Sequence, residues 1–330
     1  DTPFTLGDFI LGVTIFFISI PSMHLAIPNK MSPIAPSYSS RSSRFPALRR
    51  NRIQATLFFI FATGALLYIF RQIIAISNRV QFGRYPVVIV TALDHDRLSN
   101  DYIEAIKENR IDYAKKHGYA TFFPNVSDYE LNGAPSSWAR VPSIRHALTQ
   151  YNHCKFVWYL SHNAVIMNPT ISVEEDILDP LKLESLMLRN YPIVPPSSVI
   201  KTFQMLKGAN IDLVLSQDKT GLALGSFIVR RGCWAKFFLD TWFDPLYRSY
   251  NFQKAHVHAL EHIVQWHPTI LSKLAMIPQK KLNSYIDPNL ASETGLYSDG
   301  DFVVELAGCD LTGRDCATEA WPYLKKTKAK

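Results

Sequence analysis

Two histidines and a glutamate share one predicted helical turn. His258-Ala259-Leu260-Glu261-His262 fits the H-x-x-E-H spacing of some zinc proteases. A zinc centre needs at least a third protein ligand, and none is evident nearby, so a packed helix is the competing reading. Ser161-His162-Asn163 closes the apolar run 156–160. Polar residues at the carboxyl end of a buried strand lie where open α/β sheets bind ligands. The four cysteines, Cys154, Cys233, Cys309 and Cys316, all lie in the second half or close to it. Cys309 and Cys316 are spaced C-x6-C, which is no zinc knuckle but suits a small disulfide loop around Gly313. Asn125-Val126-Ser127 is an N-glycosylation acceptor if this part of the chain is lumenal.

The elements that would position these groups alternate in type. Residues 85–91 form a continuous apolar run of strand length, the mark of a strand buried on both faces. The spacing predicts a helix over 101–118, capped by Asp101 and closed by Gly118. A short strand at 120–123, a helix at 142–151 and a strand at 156–160 follow. This β-α-β-α-β order predicts an α/β fold around a parallel sheet. Further strands are expected at 225–230 and 302–306, and further helices at 233–243 and 255–265.

The chain has 330 residues, 47% of them hydrophobic, enough for one large domain and something beside it. Its net charge of +7 is unevenly placed: nine of the 35 basic residues but only two of the 28 acidic ones lie in 1–84. The remainder therefore carries equal numbers of each, which argues against a nucleic-acid-binding module. Residues 53–70 contain no charge and, with 73–76, approach the length of a membrane span. A buried core helix is the alternative. Arg41, Arg44, Arg49, Arg50 and Arg52 precede the run, which predicts a cytosolic N-terminus and a lumenal C-terminal domain. A second apolar stretch, 9–28, lacks the basic leader of a signal peptide, and residues 1–30 are expected to stand apart from the mature protein. The expected organisation is a cytosolic arm at 1–52, a signal-anchor helix at 53–76 and a short stem at 77–85. A lumenal domain at 86–320 and a solvated basic tail at 321–330 complete it.

Several blocks, in order, carry a resemblance. They are 102–119 (YIEAIKENRIDYAKKHGY), 138–148 with 158–169, 221–227, 244–250 (DPLYRSY), 261–275 (EHIVQWHPTILSKLA) and 300–309 (GDFVVELAGC). Together they resemble the fungal mannosyl- and galactosyltransferases of glycosyltransferase family 34. The likeness is nearest to the α-1,6-mannosyltransferase subunits of the yeast Golgi mannan polymerase II complex, and it covers roughly 85–320. It implies a GT-A, Rossmann-like domain behind a transmembrane anchor, in a single-pass type II protein of the Golgi membrane. The activity implied is retaining transfer of mannose from GDP-mannose to N-glycan outer-chain mannan, with Mn²⁺ and with other subunits of the complex as partners. The H-x-x-E-H block recurs in that family as a structural helix.

The resemblance also assigns residues. Asp218 and Ser226 take catalytic positions, and Arg140, Ser161, His162, Asn163, Gly221 and Gly225 take donor-binding ones. Arg140 replaces a lysine and could pair with donor phosphate, or lie at the surface. The metal-binding carboxylates expected at 161–163 are replaced by Ser161 and Asn163. A metal-binding histidine expected in the last strand is replaced by Glu305, so Asn163 and Glu305 are the remaining metal ligands. Glu305 could equally be a solvated edge residue. Ala223 replaces a sugar-facing amide, and His256-Val257 replaces an acidic-Gln pair that the resemblance places near the reacting sugar. The alternative these departures raise is a non-catalytic structural subunit of the same complex.

Overall fold

The computed structural model describes residues 58–69, 71, 85–195, 198–250, 252–310 and 313–328. Residues 58–69 are helical, with Phe58, Phe61 and Leu66 exposed. Among the described residues no helix is long and apolar enough to cross a membrane. The expected span 53–76 runs past this stretch at both ends into residues outside the described set, where the arm 1–52 and nearly all of the stem 77–85 also fall. The chain divides after Phe70 into two units.

In the second unit Val87–Val90 is strand β1, with all four side chains buried. A strand apolar on both faces belongs in the middle of a covered sheet. It lies between β2 (Ala120–Phe122) and β3 (Phe156–Leu160) and runs parallel to both. Helix α1 (Asn100–His117) makes the first crossover and α2 (Arg140–Gln150) the second. Gly118 ends α1 at φ 68, the left-handed region that a side chain with a Cβ resists. At its other end Ser99, not Asp101, is the cap residue, without a side-chain hydrogen bond. Asp101 sits in the first turn, where a negative charge still favours the helix end.

Beyond β3 the sheet departs from the all-parallel expectation. β6 (Leu222–Arg230) runs antiparallel to β3 and to β5 (Leu213–Gln217), and β7 (Leu274–Met276) closes the edge parallel to β5. A tight turn at 218–221 joins β5 to β6, so no crossover helix is needed there. β6 starts at Leu222 rather than 225, so most of the 221–227 block lies within a strand. A second sheet has the order β4-β9-β8, with β4 at Ala164–Ile166, β9 at Val303–Glu305 and β8 at Ser284–Tyr285. The loop 161–163 leaves β3 and enters β4, so it is the seam between the two sheets.

One face of the large sheet buries Trp138, Phe227, Phe238, Trp242 and Leu260, carried by or near α2, α4 (Cys233–Trp242), β6 and α6 (His256–Trp266). Helix α3 (Pro180–Leu186) falls between β4 and β5 in the chain, the short helix α5 (Pro245–Ser249) links α4 to α6, and α7 (Pro268–Leu271) leads into β7. The other face buries Tyr113 of α1 against Trp158 and Phe302. Truncating a fully buried aromatic of this kind to alanine typically costs roughly 3–5 kcal/mol.

The expected tail is instead the end of helix α8 (Cys316–Lys328), which buries Ala320 and Leu324 against α1 and the small sheet. Lys325, Lys326 and Lys328 stay exposed, and Lys326 pairs with Asp299 and Lys328 with Glu108. Cys309 and Cys316 are joined, with Cα atoms 4.8 Å apart, inside the limit for a disulfide. Cys154 is buried and free, and Cys233 is exposed and free.

Candidate functional site

A cavity of about 740 Å³ opens beyond the carboxyl ends of β1 and β3. Its walls come from the 161–163 loop, the start of α2, the start of β6, the start of α6, the small sheet and the disulfide loop. Ser161, His162, Asn163, Arg140, Asp218, Gly225 and Glu305 all line it, as the sequence leads one to expect.

The 161–163 loop is held from behind by α1. Arg110 is completely buried, and its Nη2 donates to the carbonyls of Ser161, at 2.8 Å, and Ala164. Burial lowers its pKa to about 10, so it keeps its charge at neutral pH. The neighbouring Asn109 bonds both the N–H and the carbonyl of Ile166 at 3.0 Å. Tyr102 donates its hydroxyl to the carbonyl of His162 at 2.8 Å. From the front, Ser161 N–H donates to the carbonyl of Gly225 at 2.7 Å. The signal for Arg110 is in the sequence: it sits on the buried stripe of α1 with Ile103, Ile106 and Tyr113.

With the backbone fixed, two side chains face the cavity in unusual states. Burial pushes His162 down to about 4, so its ring is neutral. Asn163 is 9% exposed; its amide Nδ2 donates to the Leu306 carbonyl at 3.3 Å, and its Oδ1 has no hydrogen-bond partner among the described residues.

Arg140 is built into the wall rather than lying on the surface. Its Nη1 donates to the Leu224 carbonyl at 2.7 Å and its Nε to the Ser137 carbonyl at 3.1 Å. The guanidinium lies 5.1 Å from the centre of the Tyr159 ring, within cation–π range. A planar cation fixed in this way suits a phosphate oxygen.

Glu305 is buried on β9, not a solvated edge residue. Asn283 Nδ2 donates to its Oε2 at 2.7 Å, and Ser216 Oγ donates to Asn283 Oδ1 at 2.6 Å. Burial raises its carboxyl to about 7, against the opposing pull of the Asn283 bond and the Arg140 charge. The glycines expected to admit a ligand admit these carboxylates instead. A Cβ on Gly225 would fall on the Glu305 carboxylate, and one on Gly221 would fall on that of Glu261. Gly221 itself is not in the cavity wall.

The other assignments sort on position. Asp218 Oδ1 accepts from the Thr220 N–H, the Thr220 hydroxyl and the Gly221 N–H, at 2.6, 2.9 and 2.9 Å. Its Oδ2 accepts from Tyr285 at 3.2 Å, so this carboxylate shapes the β5–β6 turn. Ser226 does not meet the cavity: it is fully buried, and its Oγ accepts from the Trp158 indole at 2.9 Å. Strand alternation turns it to the face opposite Gly225. Ala223 packs behind the wall with Tyr285, Ala291 and Ala307, so the position expected to face a sugar does not. Glu261 accepts the Leu222 N–H at 2.9 Å, and His262 lies tilted against the Tyr247 and Trp266 rings, so the H-x-x-E-H helix braces β6; among the described residues it is part of no three-ligand cluster. Asn125 is half-buried and opens a short helical turn, its Oδ1 accepting from the Ser127 N–H at 3.4 Å.

Asn163 and Glu305, the two expected metal ligands, do not by themselves fit a carboxylate-held divalent cation. Among the described residues, the group of His, Cys, Asp or Glu with three converging ligand atoms is Cys309, Asp310 and Cys316, and its two sulfurs are bonded to each other. Asn163 and Glu305 sit on adjoining segments of the small sheet but supply one carboxylate between them. Hard cations take several oxygen ligands, with carboxylates among them.

The close approach of Gly225 and Glu305 gives a test. Gly225→Ala is expected to lower stability by about 1–3 kcal/mol through overpacking. Adding Glu305→Ala should recover part of that loss in thermal or urea melts. A single Gly225→Ala protein as stable as the wild type would show that the carboxylate is not fixed there.

Residues 83–317 match the galactosyl transferase GMA12/MNN10 family. An uncharacterized alpha-1,2-galactosyltransferase of Schizosaccharomyces pombe is 32% identical over 213 residues, 64% of each chain. The probable alpha-1,6-mannosyltransferase MNN10 of Saccharomyces cerevisiae is 32% identical over 67% of this chain and 59% of its own length. The probable alpha-1,6-mannosyltransferase MNN11 of the same yeast is 28% identical over 73% of this chain and 62% of its own. The chain thus spans less than two thirds of the length of each of these relatives. A crystal structure of a glycosyltransferase involved in glycosylation of the major capsid of PBCV-1 superposes with a TM-score of 0.46 at 12% identity, covering 74% of this chain and 99% of that one. The match over 83–317 takes in every wall of the cavity, and the chain belongs to the galactosyl transferase GMA12/MNN10 family of glycosyltransferases.

Proposed function

We propose that the cavity is the donor site of a GT-A domain and takes a nucleotide sugar, GDP-mannose. The acceptor is N-glycan outer-chain mannan, and the chain acts as a subunit of a Golgi mannosyltransferase complex. The observation that carries this reading is Arg140, a cation fixed by two carbonyls in the wall of a cavity at the strand ends. Two relatives named as probable alpha-1,6-mannosyltransferases support mannose as the sugar. Relatives named as alpha-1,2-galactosyltransferases make UDP-galactose the competitor to test.

In this reading Arg140 offsets the diphosphate charge, while the 161–163 loop and the buried wall hold the sugar out of water. Stabilising the leaving phosphate is where turnover is weak. Removing one well-placed electrostatic group costs on the order of 100- to 1,000-fold in rate, and here the usual carboxylate pair is replaced by Ser161 and Asn163. That replacement favours a second reading, a non-catalytic structural subunit of the same complex.

We also propose that residues 53–76 anchor the chain in the Golgi membrane with residues 85–330 in the lumen. The arginine cluster before residue 53 motivates the orientation. Protease added to sealed Golgi vesicles should spare the 85–330 fragment. Its digestion in intact vesicles would contradict the orientation.

Calorimetry on the full chain in detergent tests the donor site. GDP-mannose should bind with the same affinity, within about twofold, in EDTA and in Mn²⁺. Arg140→Ala should weaken binding on the order of tenfold, the effect of a lost charge-assisted bond. Mn²⁺-dependent binding together with rapid mannose transfer would overturn the account of the site, and no binding in either buffer would leave the structural-subunit reading.

A further inference from the structure

Inside the cavity wall, one histidine is held firmly and yet left incomplete. His256 begins α6, is 5% exposed and lines the cavity. Its Nδ1 lies 3.0 Å from Ser137 Oγ, and its carbonyl accepts from the Trp242 indole at 2.9 Å. Trp138 and Trp242 flank the ring at 6.1 and 6.4 Å between centroids. Three of these contacts fix where the ring points, and the Trp242 indole holds its backbone. The remaining nitrogen, Nε2, is buried and has no hydrogen-bond partner among the described residues.

The backbone shows that this placement is forced. Ala255, immediately before His256, has φ 45 and ψ −120, a conformation that a residue with a Cβ resists. Strained backbone of this kind persists where the surrounding structure over-determines it, and it gathers at binding sites. A buried polar atom without a partner is likewise uncommon in a native protein. The two irregularities occur at adjacent residues, and the second of them lines the cavity.

We propose that His256 Nε2 bonds a hydroxyl of the donor's glycosyl group and makes His256 a sugar-selecting residue of this site. The inference rests on the nucleotide-sugar reading of the cavity and deepens it. The chemistry of the ring favours a hydroxyl over a phosphate. Burial, and then the nearby Arg140 charge, hold its pKa well below the ordinary histidine value, so the ring is neutral at neutral pH. A neutral imidazole nitrogen gives or takes one hydrogen bond, and a hydroxyl can do either. Asn163 Oδ1, the second unpartnered buried atom in the wall, offers an acceptor to the same polyol. Val257 beside it gives an apolar surface.

The test separates the glycosyl group from the nucleotide. Affinities for GDP-mannose and GDP, and for UDP-galactose and UDP, are measured calorimetrically on the full chain in detergent. The wild type should prefer one nucleotide sugar over its nucleoside diphosphate. His256→Phe keeps the ring shape without nitrogens. It should lose that preference, on the order of tenfold for a bond to a buried group, while the nucleoside diphosphate affinity stays the same. His256→Gln places an amide near the Nε2 position and should restore part of the preference. His256→Asn places one near Nδ1 and should not, and this pair carries the test if the phenylalanine variant fails to fold. A preference that survives in His256→Phe, or rescue by Asn equal to that by Gln, would overturn the proposal. So would a wild type that binds nucleotide and nucleotide sugar equally, while the donor-site reading would stand. A wild type that binds neither nucleotide nor nucleotide sugar would remove both.

Discussion

The site depends on one buried cation that has carbonyl groups, not a carboxylate, for company. Arg110 reaches from α1 to the carbonyls of Ser161 and Ala164 at the seam between the two sheets. Taking a guanidinium out of water is costly unless its donors are satisfied; here the seam and Asn109 supply acceptors for Nη1 and Nη2, while Nε has no partner among the described residues. The arrangement works in both directions. The Ser161 carbonyl, just beyond the β3 strand, gains a second donor beside the Ala164 N–H. Tyr102 and Asn109 extend the same grip to His162 and Ile166. The loop is therefore a rigid strap, and the cavity in front of it has a fixed back wall.

The front wall is built on a second constraint, the close packing of carboxylates against glycines. Gly225 and Gly221 give space to Glu305 and Glu261, which are tied to Asn283 and to the Leu222 N–H. Asp218 is occupied in the β5–β6 turn and by Tyr285. The acidic groups near the cavity are thus largely engaged in holding the protein together. Beside the charged residues at the cavity rim, Asp94, Lys254 and Asp310 among them, the wall offers a ligand Arg140 and two buried atoms unpartnered among the described residues, Asn163 Oδ1 and His256 Nε2. Arg140 with those two atoms can recognise a phosphate and a polyol, and Asn163 with Glu305 supplies one carboxylate to a divalent ion.

Much of the frame was legible in the sequence, because buried strands and capped helices announce themselves locally. The runs 85–91 and 156–160 and the glycine at 118 led directly to β1, β3 and the end of α1. The C-x6-C spacing led to the disulfide. What failed depends on partners distant in sequence. No local pattern tells that β6 runs antiparallel to β3. Nor does one tell that Ser226 turns to Trp158, or that the glycines face the protein's own carboxylates. The lysine-rich C-terminus read as a tail because its charges outweigh Ala320 and Leu324, yet those two residues dock it as α8. His256 looked like one departure among several, and only its burial and the strained Ala255 set it apart.

The most direct measurement is a crystal structure of the full chain with GDP-mannose and Mn²⁺, with data recorded at the manganese absorption edge. The account predicts the diphosphate beside Arg140, the mannose ring within hydrogen-bond distance of His256, and no manganese signal between Asn163 and Glu305. A manganese ion there, bridging those two side chains and the diphosphate, would contradict it.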